Sequence, residues 1–164
     1  MNRLVSTSVI TVVVACAGLA SLKAQVKSAP PAAASGIQKV AVCKLLPTAE
    51  VKKHLPWRPQ LDQFPPEEEA IGTLGSSCNY PSVMIQVLPG AQRMIEEAKK
   101  KGGLEPVSGI GEEAWFHNNL NRYAELYVKS GKYVVTLQSN WDGKDPAVKS
   151  GTLSLAKALL AKLQ

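Results

Sequence analysis

The chain is poor in the residues from which most protein chemistry is built. It has two histidines, His54 and His117, and neither a C-x-x-C nor an H-x-x-x-H spacing. A zinc site takes three or four ligands, so no metal centre is expected and no cofactor is implied. Aromatic residues make up only 5% of the chain, which leaves aliphatic side chains to carry the core. Basic residues are scattered. Their longest run, residues 99–101, sits beside Glu96 and Glu97 and reads as a solvated helix end. A nucleic-acid binder shows a basic stripe with interleaved aromatics. None is present, which sets nucleic acid aside as a partner.

What remains fits one ordinary domain of 164 residues. Met1-Asn2-Arg3 is a short basic start. Residues 4–22 carry no charge, and Lys23-Ala24 precede the polar Gln25. This basic, apolar, small order is that of a secretory signal over residues 1–24, cleaved after Ala24. Two other readings of the same stretch stand beside it. Val13-Val14-Ala15-Cys16 resembles a lipobox, in which Cys16 would be lipidated and become the new N-terminus. An uncleaved anchor would also use the apolar run, although its Thr, Ser and Gly residues weaken it. A membrane is a partner only in these two cases. Without Arg3 and Lys23 the chain keeps 17 basic against 13 acidic residues, a mild surplus of +4.

Residues 28–36 read SAPPAAASG, which cannot bury a core and marks a linker over residues 25–37. The domain proper is placed at residues 38–164. A first helix is expected from Cys43, with Thr48 as N-cap, Val51 and Leu55 on one face and a stop before Pro56. Four prolines between residues 55 and 66 predict an irregular loop. Alternation of Val83, Ile85 and Val87 predicts a strand over residues 77–88, with a short partner over 71–74 turned at Gly75. Residues 91–101 form a short amphipathic helix stopped by Gly102-Gly103. Three strands follow, at 114–117, 123–129 and 132–139, the last two joined at Ser130-Gly131. An apolar pattern over residues 147–163 closes the chain as a helix. The order is α-β-α-β-β-β-α. It predicts a small α+β domain, an antiparallel sheet with one face covered by amphipathic helices.

Cys43 and Cys78 remain once the signal is removed, an even number in an oxidising compartment. They are expected to form a disulfide, closing a loop of roughly 36 residues and contributing up to about 4 kcal/mol. Two buried free thiols are the alternative. Motifs that suggest catalysis have simpler explanations. Gly109-Ile110-Gly111-Glu112-Glu113-Ala114 has the letters of a dinucleotide turn. However, Pro106 interrupts the strand such a turn needs, no helix follows, and two glutamates would repel phosphate. Ser154-Leu155-Ala156-Lys157 fits S-x-x-K but comes last in the chain, in too small a domain. The disulfide would remove both thiols from nucleophilic roles. Glu67, Glu68 and Glu69 read as a solvated loop, and Glu112-Glu113 likewise. No catalytic residue is assigned. Trp57 and Trp141 lie in expected loops and are candidate binding residues, with packing over a core edge as the competing reading.

Several stretches resemble a group of small bacterial exported proteins of uncharacterised function, many of them lipoproteins. Their domain opens with a Cys-x-Leu-Leu motif at a first helix, here Cys43-Lys44-Leu45-Leu46-Pro47-Thr48-Ala49-Glu50-Val51. Gly-x-x-Cys-x-Tyr follows, here Gly75-Ser76-Ser77-Cys78-Asn79-Tyr80, and then a Val-x-Gly-Ile-Gly segment running from Val107 to Trp115. The resemblance covers most of residues 43–164 and departs after the first helix, where members often have Gly and this chain has His54-Leu55-Pro56-Trp57. It implies a paired-Cys α+β domain and no catalytic residue. The expectation is a non-enzymatic envelope module that binds a small ligand or another envelope protein. Two alternatives remain. One is a small periplasmic hydrolase that gathers His54 or His117 with carboxylates. The other is a membrane-anchored lipoprotein with a structural role.

Overall fold

The computed structural model describes residues 39–119, 123–141 and 144–164. The expected signal at 1–24, Cys16 within it, and the linker at 25–37 lie outside the described residues. Two short helices, α1 (Val42–Leu45) and α2 (Thr48–His54), lead into a 3-10 turn (Pro59–Gln63). Strands β1 (Glu67–Ile71), β2 (Gly75–Tyr80) and β3 (Val83–Pro89) come next, then α3 (Gln92–Lys101). Strands β4 (Leu104–Val107), β5 (Glu113–Asn119), β6 (Tyr123–Ser130) and β7 (Tyr133–Ser139) precede α4 (Pro146–Leu160). All seven strands form one antiparallel sheet in the order β1-β2-β3-β7-β6-β5-β4. The fold is α+β, a single small domain.

The differences from the sequence-based expectation have local causes. The stretch 77–88 is two strands, because Pro81 has no N–H to continue a ladder and Pro81-Ser82 turns the chain back, pairing Tyr80 with Val83. The acidic run 67–69 is the edge strand β1, and the turn falls at residues 72–74, with Gly72 at φ 61°. Pro106 does not end a strand. It sits in β4 opposite Trp115, at a sheet edge where one side of the backbone needs no partner. The first helix breaks in two at Pro47, whose carbonyl accepts from the amides of Glu50 and Val51. Thr48 therefore starts α2 rather than capping it. At α4 the cap is Asp145, which accepts from the Ala147 amide at 2.8 Å, with Pro146 in the first turn.

The core lies on one face of the sheet. Val83, Ile85, Val87, Leu126, Val128, Val135 and Leu137 are fully buried there. They are covered by α1, which packs on β1, β2 and β3, and by α4, which packs on β6 and β7 and also on α2. Leu155 and Leu159 of α4, Val51 of α2 and Val42 and Leu46 of α1 supply the facing side chains. Tyr80 reaches through this layer to donate to the Leu46 carbonyl. Contrary to the expectation of helices on one face only, α3 lies over the other. Its Met94 shares a small cavity with Met84, Gln86, Tyr127 and Thr136, and its Lys99 stacks 5.0 Å from the Trp115 ring.

Candidate functional site: the open face of the sheet

The sheet register aligns two rows of side chains on the face opposite the core. One row runs Ser77, Gln86, Thr136, Tyr127, Trp115, and the next runs Asn79, Met84, Gln138, Glu125, His117. Successive side chains on a strand alternate faces, so each of these is the neighbour of a core residue. Ser77 and Thr136 are buried and the other eight residues of the rows half-buried. Helix α3 lies over part of this face, with Met94 beside Met84, Gln86, Tyr127 and Thr136 and Lys99 over the Trp115 ring. At its foot is a cavity of about 90 Å³ lined by residues from α3, β3, β6 and β7.

The rows are held by their own hydrogen bonds. Thr136 Oγ1 donates to Gln86 Oε1 at 3.0 Å. Glu125 Oε2 accepts from Tyr127 OH and from His117 Nδ1, both at 3.2 Å. With a carboxylate as partner, it is the Nδ1–H tautomer of His117 that completes this hydrogen bond. Burial, and after it the Glu125 charge, push the Tyr127 phenol up to about 12, so it stays a hydrogen-bond donor. Trp115 Nε1 donates to Glu113 Oε1 at 2.6 Å, and Lys99 of α3 pairs with the same carboxylate. The result is a face of fixed amide, hydroxyl, thioether and aromatic groups with one carboxylate and one imidazole.

The residues singled out from sequence are placed as follows. Cys43 and Cys78 form a disulfide with Cα atoms 5.2 Å apart, joining α1 to β2. Trp57 and Trp141 are half-buried and pack against the core. The Lys52 ammonium lies 5.1 Å over the Trp57 ring, and Trp57 Nε1 donates to Asp62 at 2.8 Å. Hydrogen bonds from Lys52 first and Trp57 second hold the Asp62 carboxyl below its usual range. Arg58 stacks 4.9 Å from the Trp141 ring, which ties the loop after α2 to the one after β7. Trp141 Nε1 is buried with no hydrogen-bond partner. Both rings are thus already occupied from within. Phe64 of the same loop, 55% exposed, is the large apolar side chain most open to solvent among the described residues.

The two histidines fall in separate networks. His117 is on the open face. His54 is half-buried between Glu50 and Ser154. Its Nε2 lies 3.3 Å from Glu50 Oε1, and its Nδ1 lies 2.9 Å from Ser154 Oγ. This is a hydroxyl, imidazole and carboxylate in line, with Ser154 from the S-x-x-K stretch. Yet Ser154 sits inside α4, where the backbone amides are spent on the helix and none is free to stabilise an oxyanion. At the open face the hydroxyl next to the imidazole–carboxylate pair is a phenol held protonated. The Gly-Ile-Gly stretch is a turn. A side chain at Gly111 would meet the Lys129 carbonyl, and Glu112 accepts from the Gly131 amide at 2.8 Å.

Sequence reasoning missed the open face because its members are separate residues on five strands, aligned only by register. The alternation Met84, Gln86 against Ile85, Val87 was the available signal. Among the described residues no helix is long and apolar enough to cross a membrane. Neither a family model, nor a curated protein, nor a solved structure matches this chain.

Proposed function

We propose that this chain is an exported, non-catalytic binding module that holds a polar ligand or partner against the open face of its sheet. The observation that carries the reading is the pair of cross-strand rows from Ser77 to Trp115 and from Asn79 to His117, in which all but the buried Ser77 and Thr136 keep part of their surface open to solvent. Tyr, Trp, Met and His are side chains enriched at recognition surfaces or suited to them, and here their rotamers are fixed beforehand by internal hydrogen bonds. Export is supported by the N-terminal pattern and by the disulfide, which persists in oxidising compartments.

The test is a thermal-shift search of envelope small molecules and of purified envelope proteins, with each hit repeated on a Gln138→Leu/His117→Leu variant. Stabilisation lost in the variant supports the face. Stabilisation unchanged in the variant refutes it. Intact mass tests the export half. A chain starting at Gln25 supports soluble export, and a lipidated Cys16 start places the same module on a membrane. A second reading, a small hydrolase, draws on the Ser154–His54–Glu50 line. Covalent labelling of Ser154 by a fluorophosphonate, lost in His54→Ala, would favour it over the binding reading.

A further inference from the structure

Away from the open face, one cluster of ligating groups stands out. The sulfurs of Cys43 and Cys78 and a carboxylate oxygen of Glu68 all lie within 4.8 Å of one another. Glu68 is held in place because its two oxygens accept from the amides of Val42 and Cys43, at 2.8 and 2.7 Å. Cys78 is fully buried and Cys43 half-buried. A groove of about 550 Å³, lined by Cys43, Glu68, Ser76, Lys39 and Lys44, opens onto the cluster.

We propose that the disulfide locus, once opened by a dithiol reductant, is a site for a thiophilic divalent cation, zinc above all, held by Cys43, Cys78 and Glu68. Two electrons and two protons from the dithiol convert the bridge to two thiols, and the dithiol becomes a disulfide. The cation then displaces both thiol protons. Zinc bonds of about 2.3 Å to sulfur and about 2.0–2.2 Å to oxygen put tetrahedral ligands roughly 3.4–3.8 Å apart. The sulfurs must separate and the carboxylate must close in, each by a side-chain rotation. The fourth position faces the groove and takes water. Two thiolates and one carboxylate on a dication leave a single net negative charge, beside which Lys39 and Lys44 line the groove. Each of the carboxylate oxygens keeps a lone pair for the metal while accepting its amide.

The test is a Co²⁺ titration of the chain reduced with a phosphine under argon, followed by Zn²⁺. The expected result is one ion per chain, with a thiolate-to-cobalt charge-transfer band, the strong visible absorption of a four-coordinate ion, and displacement by Zn²⁺. The oxidised protein should bind nothing. Cys43→Ser should lose the affinity, and Glu68→Gln should weaken it by about tenfold or more while keeping the band. No thiolate band, equal binding by the oxidised protein, or unchanged affinity in Glu68→Gln would each overturn the site. Should reduction unfold the chain, one equivalent of metal must restore native circular dichroism, and failure to restore it overturns the proposal as well.

Discussion

Glu68 sits exposed on an edge strand, yet it satisfies two of the amides that open α1. A helix of four residues has few other means of holding its first turn, and Ala41 before it offers no side-chain cap. Glu68→Ala should cost about 1 kcal/mol, read as a lower urea midpoint with an unchanged slope. An unchanged midpoint would show that Ser76 Oγ, which also accepts from the Val42 amide at 3.2 Å, and water suffice in place of Glu68. Nothing in Glu67-Glu68-Glu69 distinguishes the middle residue, because its partners lie 25 and 26 positions earlier in the chain. Tyr127 gives a second test. Its phenol is raised from 10.0 to about 12 in the folded chain, by burial first and Glu125 second. The unfolded chain therefore loses this proton first as pH rises. The stability tied to Tyr127 is intact below pH 10 and is lost as pH climbs from 10 towards 12. Tyr80 is shifted in the same direction by burial and Glu68. Urea midpoints measured across that window should fall less steeply in Tyr127→Phe than in the parent. Parallel curves would contradict the assignment.

Packing between elements turns on Gly151. A side chain there would run into the backbone carbonyl of His54 and the Leu55 side chain, so this glycine lets the end of α2 lie against α4. Gly151→Ala gains about 0.5–1 kcal/mol of helix propensity. It also forces two packed backbones apart, which costs about 1–3 kcal/mol. The second effect wins, and the variant should melt lower than the parent. A higher melting temperature would mean that α2 is free to shift. Elements with strong periodicity were legible in the sequence: β3, β6, β7 and α4 arise from alternating or helical apolar residues that must face one core. The elements that escaped are set by position in the sheet. Strand β1 opens on three glutamates, is almost wholly exposed, and pairs because β2 lies beside it. Strand β4 tolerates Pro106 because it is an edge. Lys149 Nζ adds an ion pair to Glu105 at 2.6 Å that links β4 to α4 and has no local sequence signature.

For the whole molecule, the Cys43–Cys78 bridge joins α1 to the middle of the β1–β2–β3 side of the sheet, and the cysteine count together with the expected export signal sufficed to expect it. Replacing both cysteines with serine should cost at most about 4 kcal/mol, since the crosslink acts mainly by restricting the unfolded chain. The melting temperature should drop while the native far-ultraviolet dichroism at 20 °C or so is retained. A variant as stable as the parent would make the bridge incidental to the fold. The candidate surface was less legible than the fold. Trp57 and Trp141 drew notice as loop aromatics, and the structure gives each an internal partner in Lys52, Asp62 or Arg58. The open face needed the register of five strands to become visible. It is tested most directly by placing a photo-crosslinking residue at Gln138, in the middle of that face, and separately at Lys157, on the exposed side of α4, in cells that make the protein. The binding reading predicts an adduct from position 138 and none from position 157. An adduct only from 157, or none from 138, would contradict it.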